Sequence, residues 1–262
     1  MWLERTESLL GADALAVLKA SRVAVLGLGG VGGSAAEALL RSGVGHLLLV
    51  DNDAVSDSNR NRQLLATAET VGMDKTEAAT RRFSAAVPEA ELTLKKEFYL
   101  PENRDFLFDW KPDCVIDAID TVTAKLDLAV ECQKREIPLY MCLGTGNRLD
   151  PEKLTVGDIA DTAGCGCGLA KVMRHELKKR GIEHQTVLYS TEIPQNVVAE
   201  SENGRHAPGS TAFVPPKSSK NAAKARKPMR YIDSILRKSA WYSAAFASGA
   251  SLANAFPRCT AQ

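Results

Sequence analysis

The sequence predicts an α/β fold: a Rossmann-like, doubly wound, mostly parallel sheet with an N-terminal helical arm and an irregular C-terminal extension. Three observations predict it. Short apolar runs of strand length alternate with segments of helical spacing, and the runs are nearly continuous in apolar character, as strands buried on both faces are. A glycine cluster, Gly27-Leu28-Gly29-Gly30-Val31-Gly32-Gly33, sits directly between the first such run and an alanine-rich helix. At 262 residues, 45% of them hydrophobic, the chain has material for one large core.

Residues 3–20 place Leu3, Leu9, Leu10, Leu15 and Leu18 at helical spacing, and Gly11-Ala12-Asp13 breaks this arm into two helices. Arg22-Val23-Ala24-Val25-Leu26 is the first strand, followed by the glycine cluster and a helix over 34–42. His46-Leu47-Leu48-Leu49-Val50 is the second strand, ending at Asp51-Asn52-Asp53. The alternation continues with a helix over 73–86, a strand at 91–96, a helix over 101–109, a strand at 114–117, a helix at 121–135 and a strand at 138–141. After Gly144-Thr145-Gly146 the pattern is less regular: a strand at 154–156, a basic amphipathic helix over 168–180 and a strand at 187–189. No internal repeat interrupts this order.

Lys and Arg number 33 against 32 Asp and Glu, so no whole-molecule field draws a polyanion, and any nucleic-acid surface must be a local patch. No apolar run approaches the roughly 20 residues that cross a bilayer. Glu4, Arg5 and Glu7 stand where a signal peptide needs apolar residues, which predicts a cytoplasmic protein without a membrane partner. The six cysteines, at 114, 132, 142, 165, 167 and 259, read as reduced thiols in a chain too long to depend on disulfides.

Glycines at 27, 29 and 32 let backbone amides and a helix N-terminus approach phosphate oxygens. With Asp51 about 20 residues on, placed for ribose hydroxyls, the pattern permits NAD as readily as ATP. The following segments discriminate: Asp53 and Asn59 through Arg62 and Gln63, then Gly72-Met73-Asp74-Lys75, then Asp117-Ala118-Ile119-Asp120. A dehydrogenase has no use for clustered cations around its cofactor. Cleavage between the α- and β-phosphates of ATP does, because charge grows on the non-bridging oxygens and the departing pyrophosphate; Arg62 and Lys75 suit that need. Asp120, after a strand, suits a magnesium ion held against phosphates, or else caps the helix at 121–135.

These segments, ordered along residues 27–120, resemble the ThiF, MoeB and HesA family of adenylating enzymes, which are ubiquitin-activating-enzyme-like. The resemblance covers residues 3–216 and implies an ATP- and magnesium-dependent enzyme that activates a carboxylate. It implies ribose binding by Asp51, nucleotide and phosphate contacts by Asn59, Arg62 and Lys75, and a magnesium-associated role for Asp120. The candidate nucleotide set is Gly27, Gly29, Gly30, Gly32, Asp51, Asp53, Asn59, Arg62, Gln63, Lys75 and Asp120, with Arg62, Lys75 and Asp120 as catalytic candidates. Arg5 resembles the arginine that reaches a neighbouring subunit's ATP, which implies a homodimer.

Within the family the stretches 117–120, 144–151 and 169–181 resemble the tRNA threonylcarbamoyladenosine dehydratases. That branch implies cyclisation of the threonylcarbamoyl group on adenosine 37 of certain tRNAs, through an acyl-adenylate captured internally with loss of water. Lys171, Arg174, Lys178, Lys179 and Arg180 on one helix form a candidate tRNA face, or a solvated one. Three rivals stay open: adenylation of a small sulfur-carrier protein, a non-catalytic nucleotide-binding module and a nicotinamide oxidoreductase. Relatives acting on ubiquitin-like proteins often carry paired Cys-x-x-Cys motifs for zinc. This chain has only Cys165-Gly166-Cys167, either thiol of which would suit a relay, although internal capture needs none.

The expected organisation is an arm over 1–20, an ATP-binding adenylating domain over 21–216 and an atypical basic tail over 217–262. Across 217–238 a run of Lys and Arg faces a single acidic residue, Asp233. The tail is either a basic extension for RNA or the product of a reading frame lost near codon 216, and 239–256 shows no clear helical face.

Overall fold

The apolar runs pair into one seven-stranded sheet, in a computed structural model that describes residues 2–195. The expected tail at 217–262, and residues 196–216 of the expected adenylating domain, lie outside the described residues. The strands are β1 (Arg22–Leu26), β2 (His46–Val50), β3 (Glu91–Lys95), β4 (Cys114–Asp117), β5 (Leu139–Cys142), β6 (Leu154–Asp158) and β7 (Thr186–Ser190). Their order is β3-β2-β1-β4-β5-β7-β6, parallel throughout except that β6 runs antiparallel to β7.

The burial of each strand follows from its place. Val23 to Leu26 in β1 and all of β4 are buried because both strands are central and covered on both faces. At the β3 edge Leu94 stays exposed.

Helices cover both faces. α1 (Glu4–Leu10) and α2 (Ala12–Ala20) form the arm and break at Gly11 as the sequence predicts. On one face α2, α3 (Gly30–Arg41) and α4 (Lys75–Ala86) contribute Leu18, Leu39 and Phe83 to a core with Val25 and Leu47. On the other, α5 (Asp105–Asp109), α6 (Val122–Lys134) and α7 (Gly168–Lys179) contribute Leu107, Leu128 and Met173 to a core with Leu26 and Met141. None of these helices is long and apolar enough to cross a membrane.

Two boundaries differ from expectation. α3 begins at Gly30, four residues before the expected 34, because the later glycines of the cluster enter its first turn instead of preceding it. The helix expected over 101–109 shrinks to Asp105–Asp109: Asn103 Oδ1 accepts from Leu100 N at 2.8 Å and Arg104 Nε donates to the Pro101 carbonyl at 2.8 Å, which makes residues 100–104 a turn.

Register aligns the strand ends that matter. Leu26 pairs with Val50 on one side and with Asp117 on the other, so Gly27, Asp51 and Ala118 emerge side by side at the carboxyl edge of the sheet. The order reverses between β1 and β4, and in an open α/β sheet that is where a crevice forms.

Candidate active site

A cavity of about 390 Å³ occupies this crevice. Residues after four adjacent strands line it in spatial order: Ala118, Ile119 and Asp120 after β4, Gly27 and Gly29 after β1, Asp51, Asn52 and Asp53 after β2, and Glu97, Phe98 and Tyr99 after β3. Gln63, Lys75 and the strand-end residues Leu26 and Val50 complete it.

The glycine turn is tight for steric reasons. Gly27 has φ +86°, and a Cβ on it would stand 2.6 Å from the Ala118 carbonyl oxygen. Gly32 lies inside α3, where a Cβ would collide with the Gly27 carbonyl. The cluster therefore wraps directly onto the helix N-terminus, the geometry in which free amides receive phosphate. A Cβ on Gly29 would meet nothing closer than an ordinary contact, the nearest atom being Gln63 Nε2, at 3.9 Å.

Asp51, nearly buried, fastens this turn to the end of β2. Its Oδ2 accepts from Leu28 N at 2.6 Å and its Oδ1 from Asp53 N at 2.8 Å. Lys75 opens α4 with its side chain 7% exposed, and its Nζ lies 2.6 Å from Asp53 Oδ2 and 3.6 Å from Asp51 Oδ2. The two carboxylates and the ammonium tie β1, β2 and α4 into one cavity wall.

The expected convergence of cations is only partly met. Lys75 lines the cavity, but four carboxylates, Asp51, Asp53, Glu97 and Asp120, line it too. Arg62 does not line it: its Nη1 donates to the Ser58 carbonyl at 2.8 Å and to Asn61 Oδ1 at 3.0 Å, so local acceptors hold the guanidinium on its own loop. Asn59 is likewise turned to local work, its Oδ1 accepting from Ser56 N at 3.1 Å in a capping box. Gly30 and Gly32 support the turn from within α3 and do not line the cavity. Arg5 is exposed on α1 and does not line the cavity of its own chain.

Asp120 is exposed and lines the cavity beside the glycine turn. Its alternative role as a cap is not taken up: Thr121 is the N-cap of α6, with no side-chain hydrogen bond. Magnesium takes one or two carboxylates and fills its remaining positions with phosphate oxygens and water. The residues fit an ion held in that way. Asp120 is a carboxylate beside the glycine turn with no ion pair among the described residues, where no cluster of three His, Cys, Asp or Glu forms a preassembled cage.

The sequence reasoning missed Glu97, Phe98 and Tyr99. Nothing in the string marks a residue after the third strand as functional; the signal is spatial, since β3 neighbours β2 and brings 97–99 beside Asp51. Tyr99 is anchored, its Oη donating to Asp127 Oδ2 at 2.8 Å, and burial together with this carboxylate raises its pKa. Phe98 instead keeps 42% of its surface exposed and lines the cavity after β3, an aromatic face open to a nucleobase. Base stacking on an aromatic ring is worth roughly 1–3 kcal/mol. Phe98→Ala is accordingly expected to weaken AMP binding about tenfold in a calorimetric titration, with thermal stability unchanged because the ring covers little core.

The cations of the basic helix differ in how they are held. On α7 Arg174 Nη1 donates to the Thr162 carbonyl at 2.8 Å and to Thr162 Oγ1 at 2.7 Å, and Lys179 and Arg180 both pair with Glu176. Lys171 and Lys178 remain exposed without an ion-pair partner among the described residues. Against the five cations of the expected tRNA face stands one carboxylate, Glu176, so the face stays basic, with Arg174, Lys179 and Arg180 held in place. Neither Cys165, which is buried, nor Cys167, whose Sγ accepts from Ala170 N at 3.4 Å to cap α7, lines the cavity, so neither sits where a relay would act. The five described cysteines are all free thiols.

Comparison with known proteins matches residues 3–186 to the ThiF family. The chain is 43% identical over 223 residues to tRNA threonylcarbamoyladenosine dehydratase of Bacillus subtilis, covering 80% of this chain and 87% of that protein. It is 38% identical over 164 residues to the Escherichia coli protein of the same name, covering 62% of this chain and 61% of the relative. Among solved structures it resembles the crystal structure of E. coli tRNA N6-threonylcarbamoyladenosine dehydratase in complex with ATP. The TM-score is 0.70 at 34% identity, over 74% of this chain and 82% of that one.

Proposed function

We propose, since this chain belongs to the ThiF family, that it is an ATP-dependent adenylating enzyme that dehydrates the threonylcarbamoyl group on adenosine 37 of tRNA. The reading draws on the names of its relatives for the substrate and on the cavity for the chemistry. The observation that carries the chemistry is that Lys75 and Asp120 line the same crevice as Gly27, Gly29 and Asp51. A dinucleotide site for hydride transfer needs the glycines and Asp51 but has no use for the other two.

In this reading an oxygen of the threonyl carboxylate attacks the α-phosphorus of ATP, the bond to the β-phosphate oxygen breaks and pyrophosphate leaves. A nucleophile of the same threonylcarbamoyl group then captures the activated carbonyl. AMP departs with the carboxylate oxygen, which accounts for the net loss of water. The chain holds the nucleotide by the amides of the glycine turn and by Asp51, and Lys75 meets charge as it grows on the phosphates. Asp120 would hold magnesium, which offsets phosphate charge at the acid-lined end of the cavity. Holding both reactants in one crevice supplies much of the remaining barrier reduction.

The excess of carboxylates over cations among the lining residues also bears on assembly. A polyphosphate entering this cavity needs positive charge from outside the resting wall. Arg62, after leaving the Ser58 carbonyl, is one source, and Arg5 of a second copy of the chain in a homodimer is another. A tRNA substrate and the lack of a membrane-spanning helix among the described residues support the cytoplasmic address of this reading.

The test is mass spectrometry of tRNA nucleosides after incubation with the protein, ATP and magnesium. The expected result is conversion of threonylcarbamoyladenosine to a product lighter by one water, with one AMP formed per product. Pyrophosphate exchange stimulated by a small carrier protein, and not by modified tRNA, would reassign the substrate to that carrier; ATP binding with no AMP formed would leave a binding module. Resequencing the gene across codon 216 discriminates a true basic extension at 217–262 from a lost frame.

A further inference from the structure

Behind the turn that carries Asp120 lies a charge pair to which the reaction gives no task. Lys125 in α6 and Asp117 at the end of β4 have fully buried side chains, and Lys125 Nζ donates to Asp117 Oδ1 at 2.9 Å. The same ammonium donates to the Cys142 carbonyl, at the end of β5, at 2.7 Å. Asp117 Oδ1 also accepts from Ile119 N at 3.3 Å, while Oδ2, also buried, has no hydrogen-bond partner among the described residues. One buried lysine therefore joins the carboxyl ends of β4 and β5 and, through the turn closed by Asp117, holds the backbone one residue before Asp120.

Stability does not account for this arrangement. Removing two charges from water offsets most of their attraction, and apolar replacement of such a pair is often neutral or stabilising. The unpartnered Oδ2 adds a further cost. What the pair supplies is geometry: an Asx-type turn with its acceptor locked by an ammonium presents residues 118–120 to the cavity in one conformation.

We propose that the Lys125–Asp117 pair is a positioning device that aims the 118–120 turn, and with it the Asp120 carboxylate, at the magnesium-nucleotide. The proposal rests on the reading of Asp120 given above. Lys125 and Asp117 do not line the cavity and act only through the turn. Supporting groups behind a metal-holding carboxylate set metal affinity by about 10–100-fold. A pair acting through the backbone belongs at the lower end of that range.

The experiment compares the full-length wild type with Asp117→Asn/Lys125→Met, which removes both charges and keeps the acceptor for Ile119 N. Three quantities are measured: the thermal midpoint, calorimetric binding of AMP without magnesium, and the magnesium concentration at which ATP binding is half-maximal. The expected double variant melts near the wild type and binds AMP equally well, yet needs about tenfold more magnesium. In an Asp120→Asn background the same two substitutions are expected to change the magnesium requirement no further, because both routes end at one carboxylate. An unchanged magnesium requirement, or AMP affinity falling in step with it, overturns the proposal and leaves the pair as scaffold. ATP binding by the wild type that ignores magnesium would instead remove the reading of Asp120 itself. If the double variant does not fold, Asp117→Asn/Lys125→Gln, which keeps a donor for the Cys142 carbonyl and removes both charges, is read on the same titration with the same criteria.

Discussion

Lys75→Met is expected to lower AMP formation by about 10²–10³-fold while the protein stays folded. The side chain is buried between Asp53 Oδ2 at 2.6 Å and Asp51 Oδ2 at 3.6 Å, and it supplies the ammonium of the cavity wall. In the resting cavity those carboxylates neutralise it. As the α-phosphate becomes five-coordinate and pyrophosphate separates, negative charge accumulates beside it, and an interaction that strengthens toward the transition state appears in kcat more than in KM. Methionine keeps most of the length of the side chain and none of its charge. Asp51 retains its bonds from Leu28 N and Asp53 N, so the stability cost stays at about 1–2 kcal/mol. Pyrophosphate exchange at saturating ATP beside a thermal melt measures the two effects separately. A variant with wild-type kcat and a raised KM would assign Lys75 to tying α4 against β2, without a part in the chemistry.

The sequence made the sheet legible because its signals are local. Nearly unbroken apolar runs such as Leu47-Leu48-Leu49-Val50 belong only to strands covered on both faces, and the glycine cluster fixes which strand end carries the turn. The site was legible where residues lie next to a strand end: Gly27, Asp51 and Asp120 line the cavity because the chain leaves β1, β2 and β4 at one edge. It was not legible where side-chain direction decides. Arg62 and Gln63 are neighbours in the string, yet Gln63 lines the cavity while Arg62 bonds the Ser58 carbonyl, because the turn from Asp57 to Asn59 offers an acceptor nearer than the crevice. Phe98 was out of reach for a different reason. Its importance comes from β3 lying beside β2, a long-range pairing that no spacing encodes. The partners on the basic helix were out of reach in the same way, since Glu176 pairs with both Lys179 and Arg180 and Thr162 holds Arg174, contacts that a count of charges along the string does not give.

Gly29 and Gly32, the third and sixth residues of the cluster, separate the turn's chemistry from its architecture, and the larger expected effect falls on Gly32. Gly32→Ala is expected to destabilise the protein by about 3 kcal/mol and to abolish measurable AMP binding. A methyl there meets the Gly27 carbonyl and stands 3.1 Å from Ala118 Cβ, so backbone has to move; no rotamer change relieves it. Gly27 cannot yield easily, since its φ of +86° already holds it under the Ala118 carbonyl, and the Ala118 amide is bonded to the Leu26 carbonyl at 2.8 Å. Displacing the turn from α3 takes the amides out of register with one another and uncouples Leu28 N from Asp51. Gly29→Ala provides the contrast. Its φ of −74° suits alanine and its Cβ direction is open, which predicts a thermal midpoint near that of the wild type. The new methyl nevertheless stands at the cavity wall where phosphate approaches the amides, so AMP binding is expected to fall at least tenfold. Melting curves and AMP titrations on the two variants measure both quantities. A Gly32→Ala protein that melts like the wild type would show that the turn is not pressed onto α3, and the crevice would then lack the rigid floor on which the adenylation chemistry depends.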